Sequence, residues 1–141
     1  MVVRAEVVRR KLREIEEAVG YLRSWVVTLE ALQRDRRLRW AVERGLHVAA
    51  EALFDTGTHI LAAEFQESID EYREIPTRLS TRGVISAATA DRLKGLAGFR
   101  NVLVHDYVEV DLARVLAGME RLVDFDAFVA DVESFLVQRS K

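Results

Sequence analysis

Residues 38–64, LRWAVERGLHVAAEALFDTGTHILAAE, decide the fold class. Ala41, Val42, Leu46, Val48, Ala49, Ala52, Leu53, Ile60 and Leu61 recur at steps that gather on one face of a long helix. A polar file interrupts that face: His47, Glu51, Asp55 and His59 fall four apart, so consecutive members meet on neighbouring turns. These are residue types that can ligate a metal. On an exposed helix, however, such a file ordinarily reflects mutual pairing, and no metal site is assigned. A third reading has Glu51 or Asp55 orienting a functional side chain from another helix. Thr56-Gly57-Thr58 is an awkward insert for a helix, and Gly57 offers room for a neighbour to approach closely.

Working outward, residues 3–32 read as one helix whose face is Val8, Leu12, Ile15, Val19, Leu22, Val26 and Leu29. The pattern lapses around Asp35. Signals weaken from Phe65 to Arg82, where Pro76 and Gly83 bracket a short extra helix over Thr77–Thr81. Ser86 is a good N-cap for a third long helix, Ala87 to His105, with Gly95 and Gly98 marking close packing or room for a ligand. Asp111 caps a last helix from Leu112 to Val137. Its stripe includes Val115, Leu116, Met119, Leu122, Val123, Phe125, Phe128 and Val132; its other face carries Glu120, Asp124, Asp126, Asp131 and Glu133. The expectation is an all-α, up-and-down bundle of four main helices plus the short one, in a single domain over 1–141.

Composition agrees with a globular chain: half the residues are hydrophobic, 31% are charged, and one proline among 141 residues leaves long helices as the default. Cysteine is absent, which excludes disulfides, thiolate metal sites and cysteine nucleophiles. The start, Met1-Val2-Val3-Arg4-Ala5-Glu6, does not resemble a signal peptide, and no apolar run reaches membrane-spanning length. A cytoplasmic protein with no membrane association is expected. The net charge of −2 conceals an uneven distribution. Residues 1–44 hold 11 Arg/Lys against 7 Asp/Glu, peaking at Arg34-Asp35-Arg36-Arg37-Leu38-Arg39-Trp40. Such a patch can meet phosphates, but a solvated turn is the better reading. No aromatic stacking platform is visible.

Chemistry concentrates in Gly98-Phe99-Arg100-Asn101-Val102-Leu103-Val104-His105-Asp106-Tyr107. His105 titrates near neutrality and can serve as base or acid. Arg100 presents a permanently charged fork that suits a phosphate. Their natural joint substrate is a phosphodiester: in RNA the 2′-hydroxyl is a built-in nucleophile, His105 removes its proton, and Arg100 stabilises charge on phosphorus. No metal or other cofactor is needed. Asn101, Asp106, Glu51 and Asp55 are candidate supporting residues. In one regular helix Arg100 and His105 would stand about 140° apart, so either the helix bends or two chains contribute facing motifs. A homodimer would also supply separate base and acid histidines. The competing structural reading has Arg100 and His105 capping carbonyls and pairing with acidic neighbours.

The spacing Arg100-x4-His105-x-Tyr107 resembles the signature of the HepT-like ribonuclease toxins of the HEPN superfamily. The likeness extends through AVERGLHVAAEALFDTGTHI, YREIPTRLSTRGVIS and LKGLAGFRNVLVHDYVEVD. It implies a HEPN-like helical bundle, a homodimer, and a metal-independent endoribonuclease acting as the toxin of a toxin–antitoxin system. By motif position it makes Arg100 and His105 catalytic, and makes Tyr107 the residue that a minimal nucleotidyltransferase antitoxin modifies with AMP. Adenylylation there would put bulk and negative charge where RNA phosphate must lie. Two other hypotheses stand beside it: a non-catalytic substrate and partner of a nucleotidyltransferase, which needs Tyr107 alone, and a plain helical dimerisation module.

Overall fold

The computed structural model describes residues 4–104 and 110–140. Among these the chain is helical: α1 (Ala5–Ser24), α2 (Leu29–Arg34), α3 (Arg36–Phe65), a 3-10 turn (Tyr72–Glu74), α4 (Ile75–Thr81), α5 (Ala87–Arg92), α6 (Leu96–Val104), α7 (Leu112–Glu120) and α8 (Leu122–Arg139). No helix among the described residues is long and apolar enough to cross a membrane.

α1 runs antiparallel to α3, with Leu22 against Gly45 at one end and Lys11 facing His59 towards the other. It is antiparallel to α8 as well, since Arg9 pairs with Glu133 at 2.7 Å and Arg23 with Asp126. Leu12, Ile15 and Leu22 of α1, Leu46, Leu53, Phe54 and Ile60 of α3, and Phe128 and Leu136 of α8 form a fully enclosed core. Their burial is the main stabilising contribution.

The bundle class follows the sequence pattern, but three of the four long helices are broken. The first stops at Ser24 because Val26 and Val27 are β-branched and Thr28 then offers a cap, its side chain accepting from the Ala31 amide at 3.1 Å. Val26 therefore leaves the core face and is 84% exposed. The third divides at Leu93–Gly95, where turn-like hydrogen bonds (Leu96 N–H to Leu93 carbonyl, 3.1 Å) replace the helical ladder. The fourth divides at Arg121, whose guanidinium donates to the Arg92 carbonyl at 2.7 Å and so ties the break to the end of α5. Val123, placed on the apolar stripe by an unbroken helix, is more than half exposed.

The acidic face expected on the last helix is largely engaged. Asp126 and Glu133 pair with α1, Asp131 accepts from the Ser86 amide at 2.9 Å, and Asp124 is buried beside Arg121 at 3.0 Å.

Gly57 is where α4 crosses α3: a Cβ there would lie 2.5 Å from Ile75 Cγ2 and 3.1 Å from Leu79 Cδ1. α4 then ends in a Schellman turn at Gly83 (φ 75°), with Val84 N–H to the Leu79 carbonyl at 2.9 Å and Gly83 N–H to the Ser80 carbonyl at 3.0 Å. Two glycine substitutions should therefore act in opposite directions. Gly20→Ala, on an open face of α1, raises stability by about 0.5–1 kcal/mol. Gly57→Ala lowers it by about 1–2 kcal/mol, because overpacking outweighs the helix-propensity gain. Urea midpoints of the two variants, read against the parent, check both signs.

Candidate active site around Arg100

α6 lies across α3 and is fixed on two sides. Phe99 turns towards α7, where a Cβ on Gly118 would meet Phe99 Cζ at 2.7 Å; only a glycine lets the ring sit so close. Arg100, the next residue, turns onto the face of α3 opposite its core side. Its Nε–H donates to Glu51 Oε1, and Nη1 donates to Asn101 Oδ1 at 3.1 Å. The plane of the guanidinium covers the Tyr72 ring, 4.8 Å from its centroid. Tyr72 in turn stacks on Phe54 at 4.8 Å with 26° between the rings. Phe54 is wholly buried, so the stack roots Arg100 in the core.

These contacts hold Arg100 through Nε, Nη1 and one face. Among the described residues Nη2 takes no hydrogen bond, and a quarter of the side chain remains exposed. A guanidinium fixed through Nε and Nη1 with Nη2 left open is suited to an incoming phosphate. Glu51 is shared: His47 Nε2 lies 3.5 Å from the same Oε1, and Arg44 Nη1 lies 3.4 Å from His47 Nδ1. Burial, above all, raises the Tyr72 phenol above its ordinary pKa; the charges of Glu51 and Asp55 add to this, and Arg100 opposes it. The ring therefore serves as a neutral platform.

The polar file of α3 separates into two parts. His47 and Glu51 belong to the Arg100 cluster, whereas Asp55 is exposed and acts on Tyr72 only through its charge. His59 faces α1, where burial first and the Lys11 charge second lower its pKa. Of the residues singled out from sequence, Arg100, Asn101 and Glu51 are brought together. His105, Asp106 and Tyr107 lie outside the described residues, as does most of the segment Val108-Glu109-Val110 read as extended. Sequence reasoning missed Tyr72. Its position just before the Pro76 helix start was the available signal, but nothing in the sequence linked that ring to Phe54.

The family model described as Ribonuclease HepT-like matches residues 12–132. The chain belongs to the HepT-like ribonuclease family. A curated relative of this HepT-like chain, the mRNA nuclease HepT of Shewanella oneidensis, is 26% identical over 125 residues, covering 88% of the chain and 94% of the relative. Solved structures share the fold. The tri-AMPylated HEPN toxin of Shewanella oneidensis, solved in complex with MNT antitoxin, superposes with a TM-score of 0.82 at 24% identity, over 93% of this chain and 99% of that one. The Bacillus subtilis cytosolic protein YutE, of unknown function, superposes with a TM-score of 0.84 at 19% identity, over 98% and 94%.

Proposed function

We propose that this HepT-like chain is a metal-independent endoribonuclease, the toxin of a pair completed by a minimal nucleotidyltransferase antitoxin. The observation that carries the reading is Arg100, anchored by Glu51, Asn101 and Tyr72 with Nη2 open among the described residues, at the head of Arg100-x4-His105-x-Tyr107. In this scheme His105 takes the proton of a ribose 2′-hydroxyl and the oxygen attacks the adjacent phosphorus. The bond to the 5′-oxygen breaks, and a second acid protonates the leaving oxygen. The products are a 2′,3′-cyclic phosphate and a 5′-hydroxyl end. Arg100 stabilises the charge that accumulates on the phosphoryl oxygens. A homodimer brings the second histidine as acid.

The antitoxin would transfer AMP from ATP to the Tyr107 phenol, releasing pyrophosphate. Two relatives support the pairing: the AMP-bearing toxin solved with its MNT antitoxin, and a toxin–antitoxin complex solved with AMP-PNP.

The test is cleavage of total RNA in EDTA by purified, unmodified protein, with Arg100→Ala and His105→Ala as controls of verified helicity and oligomeric state. Cleavage lost in both variants, with cyclic phosphate ends in the parent digest, supports the reading. No cleavage by the parent would leave a partner-substrate role centred on Tyr107. Glu51 acts here as a positioning residue. Glu51→Ala should lower kcat about tenfold without raising KM, since a negative charge leaves the RNA site. Glu51→Gln, which keeps an acceptor for the Arg100 Nε–H, should restore most of the rate.

A further inference from the structure

Trp40 is 64% exposed, in a chain that fully encloses Phe54 and Phe128. At 100° per residue, Arg36, Trp40, Arg44, His47 and Glu51 share one sector of α3, directed away from the core residues Val42, Ala49, Leu53 and Ile60. Two sets of contacts lie along the sector, one at Trp40 and one running from Arg44 to Arg100. The Arg36 guanidinium lies 6.0 Å from the Trp40 ring centroid, Arg44 reaches His47, His47 reaches Glu51, and Glu51 holds Arg100.

Most arginines elsewhere are neutralised, as in Arg9–Glu133, Arg23–Asp126, Arg78–Glu67 and Arg82–Glu67. Among the described residues neither Arg36 nor Arg44 pairs with a carboxylate. Asp35, the nearest acid in sequence, is occupied as the cap of α3, accepting from the Arg37 and Leu38 amides at 2.9 and 3.2 Å.

We propose that this face of α3, from Arg36 to His47, is a track that seats single-stranded RNA beside the phosphate held by Arg100. The proposal rests on the ribonuclease reading above. An exposed indole between two guanidinium groups that no carboxylate among the described residues neutralises offers a stacking surface for a base and counter-charges for the flanking phosphates, the combination single strands require. Trp40 is eleven residues from Glu51, about 16 Å along the helix axis, a distance an extended strand covers in a few nucleotides. The track thus binds substrate away from the bond being cut. It discriminates by strand length and single-strandedness rather than by base edges.

The experiment uses full-length protein carrying His105→Ala, to prevent cleavage, and a fluorescein-labelled single-stranded oligoribonucleotide of mixed sequence. Trp40→Ala weakens binding about tenfold, as expected for loss of one base–aromatic stack. Arg36→Ala and Arg44→Ala each reduce the salt dependence by about 0.7 in the log–log slope, as expected for one phosphate contact on a single strand. Arg13→Ala, an exposed cation on α1, changes neither. With Trp25→Phe leaving Trp40 as the single indole, RNA quenches the intrinsic fluorescence.

In the cleaving protein, Trp40→Ala raises KM on long RNA but leaves the rate on a dinucleotide unchanged. Absence of RNA binding by the parent would overturn the track, as would equal affinity and salt slope in all variants. So would binding losses that follow dissociation of dimers in sedimentation, which would make this face a contact between copies. The ribonuclease reading fails separately: RNA that binds through Trp40 but is not cut sinks the activity and leaves the track standing.

Discussion

Under the proposed mechanism Arg100→Ala is expected to lower kcat/KM for RNA cleavage by about 10²–10³, the effect of removing one preorganised charge donor from a phosphoryl transition state. His105→Ala is expected to cost about 10²–10⁴. The loss in Arg100→Ala should not come from unfolding. Arg100 contributes to the core only through the outer face of Tyr72, and the Glu51 carboxylate it would abandon is partly exposed, with His47 Nε2 3.5 Å away. Arg100→Lys distinguishes the fork from the charge alone. A lysine ammonium cannot hold Glu51 through one edge while presenting another to phosphate, so at least a tenfold loss remains. The measurement is single-turnover release of cyclic phosphate in EDTA, with circular dichroism melts and sedimentation run on each variant.

The second large effect is on stability. Phe54→Ala removes a fully buried ring and is expected to cost about 3–5 kcal/mol, lowering Tm by roughly 10 °C for a chain of this size. Its consequences reach the site, because the ring is the floor under Tyr72, which is the floor under Arg100. At a temperature where the variant is still folded, kcat should fall severalfold beyond the change in folded population. Tyr72→Phe keeps the ring and removes only the hydroxyl, so both stability and rate should stay close to the parent. Loss of activity in Tyr72→Phe comparable to that in Phe54→Ala would mean that the hydroxyl, not the stack, is what matters.

The helix faces were legible because they are local: Val8, Leu12, Ile15 and Leu22 follow the helical repeat and are buried as it requires. Gly57 and Gly83 were legible because glycine inside or just after a helix has few causes: a close crossing at Gly57 and a left-handed backbone at Gly83. The breaks were not. Apolar spacing continues unbroken through Val26 and Val123, although the β-branched run and the Thr28 cap were signs that the first helix stops early. The acidic side of α8 read as free surface because Arg9 and Arg23, which neutralise it, are more than a hundred residues away in sequence. The site divides in the same way. Arg100 stood out by its spacing to His105 and Tyr107, and Glu51 by its place in a file. That Tyr72 would lie between Phe54 and Arg100 depends on how the segment after α3 folds back, which no local pattern encodes.

The order in which these parts leave the ribosome has a consequence of its own. Glu51 is made 49 residues before the arginine it holds, and Arg9 waits 124 residues for Glu133. α1 packs against both α3 and α8, so its second neighbour is made more than a hundred residues after it. A growing chain can form the α1–α3 hairpin early, and Arg100 finds Glu51 and Tyr72 already made, yet the core stays open on one side until α8 emerges. A product that stops before α8 leaves Val8, Leu12 and Ile15 uncovered on that side and should be inert rather than partly active. Any partner that must restrain the folded protein has the interval between α1 and α8 in which to be ready.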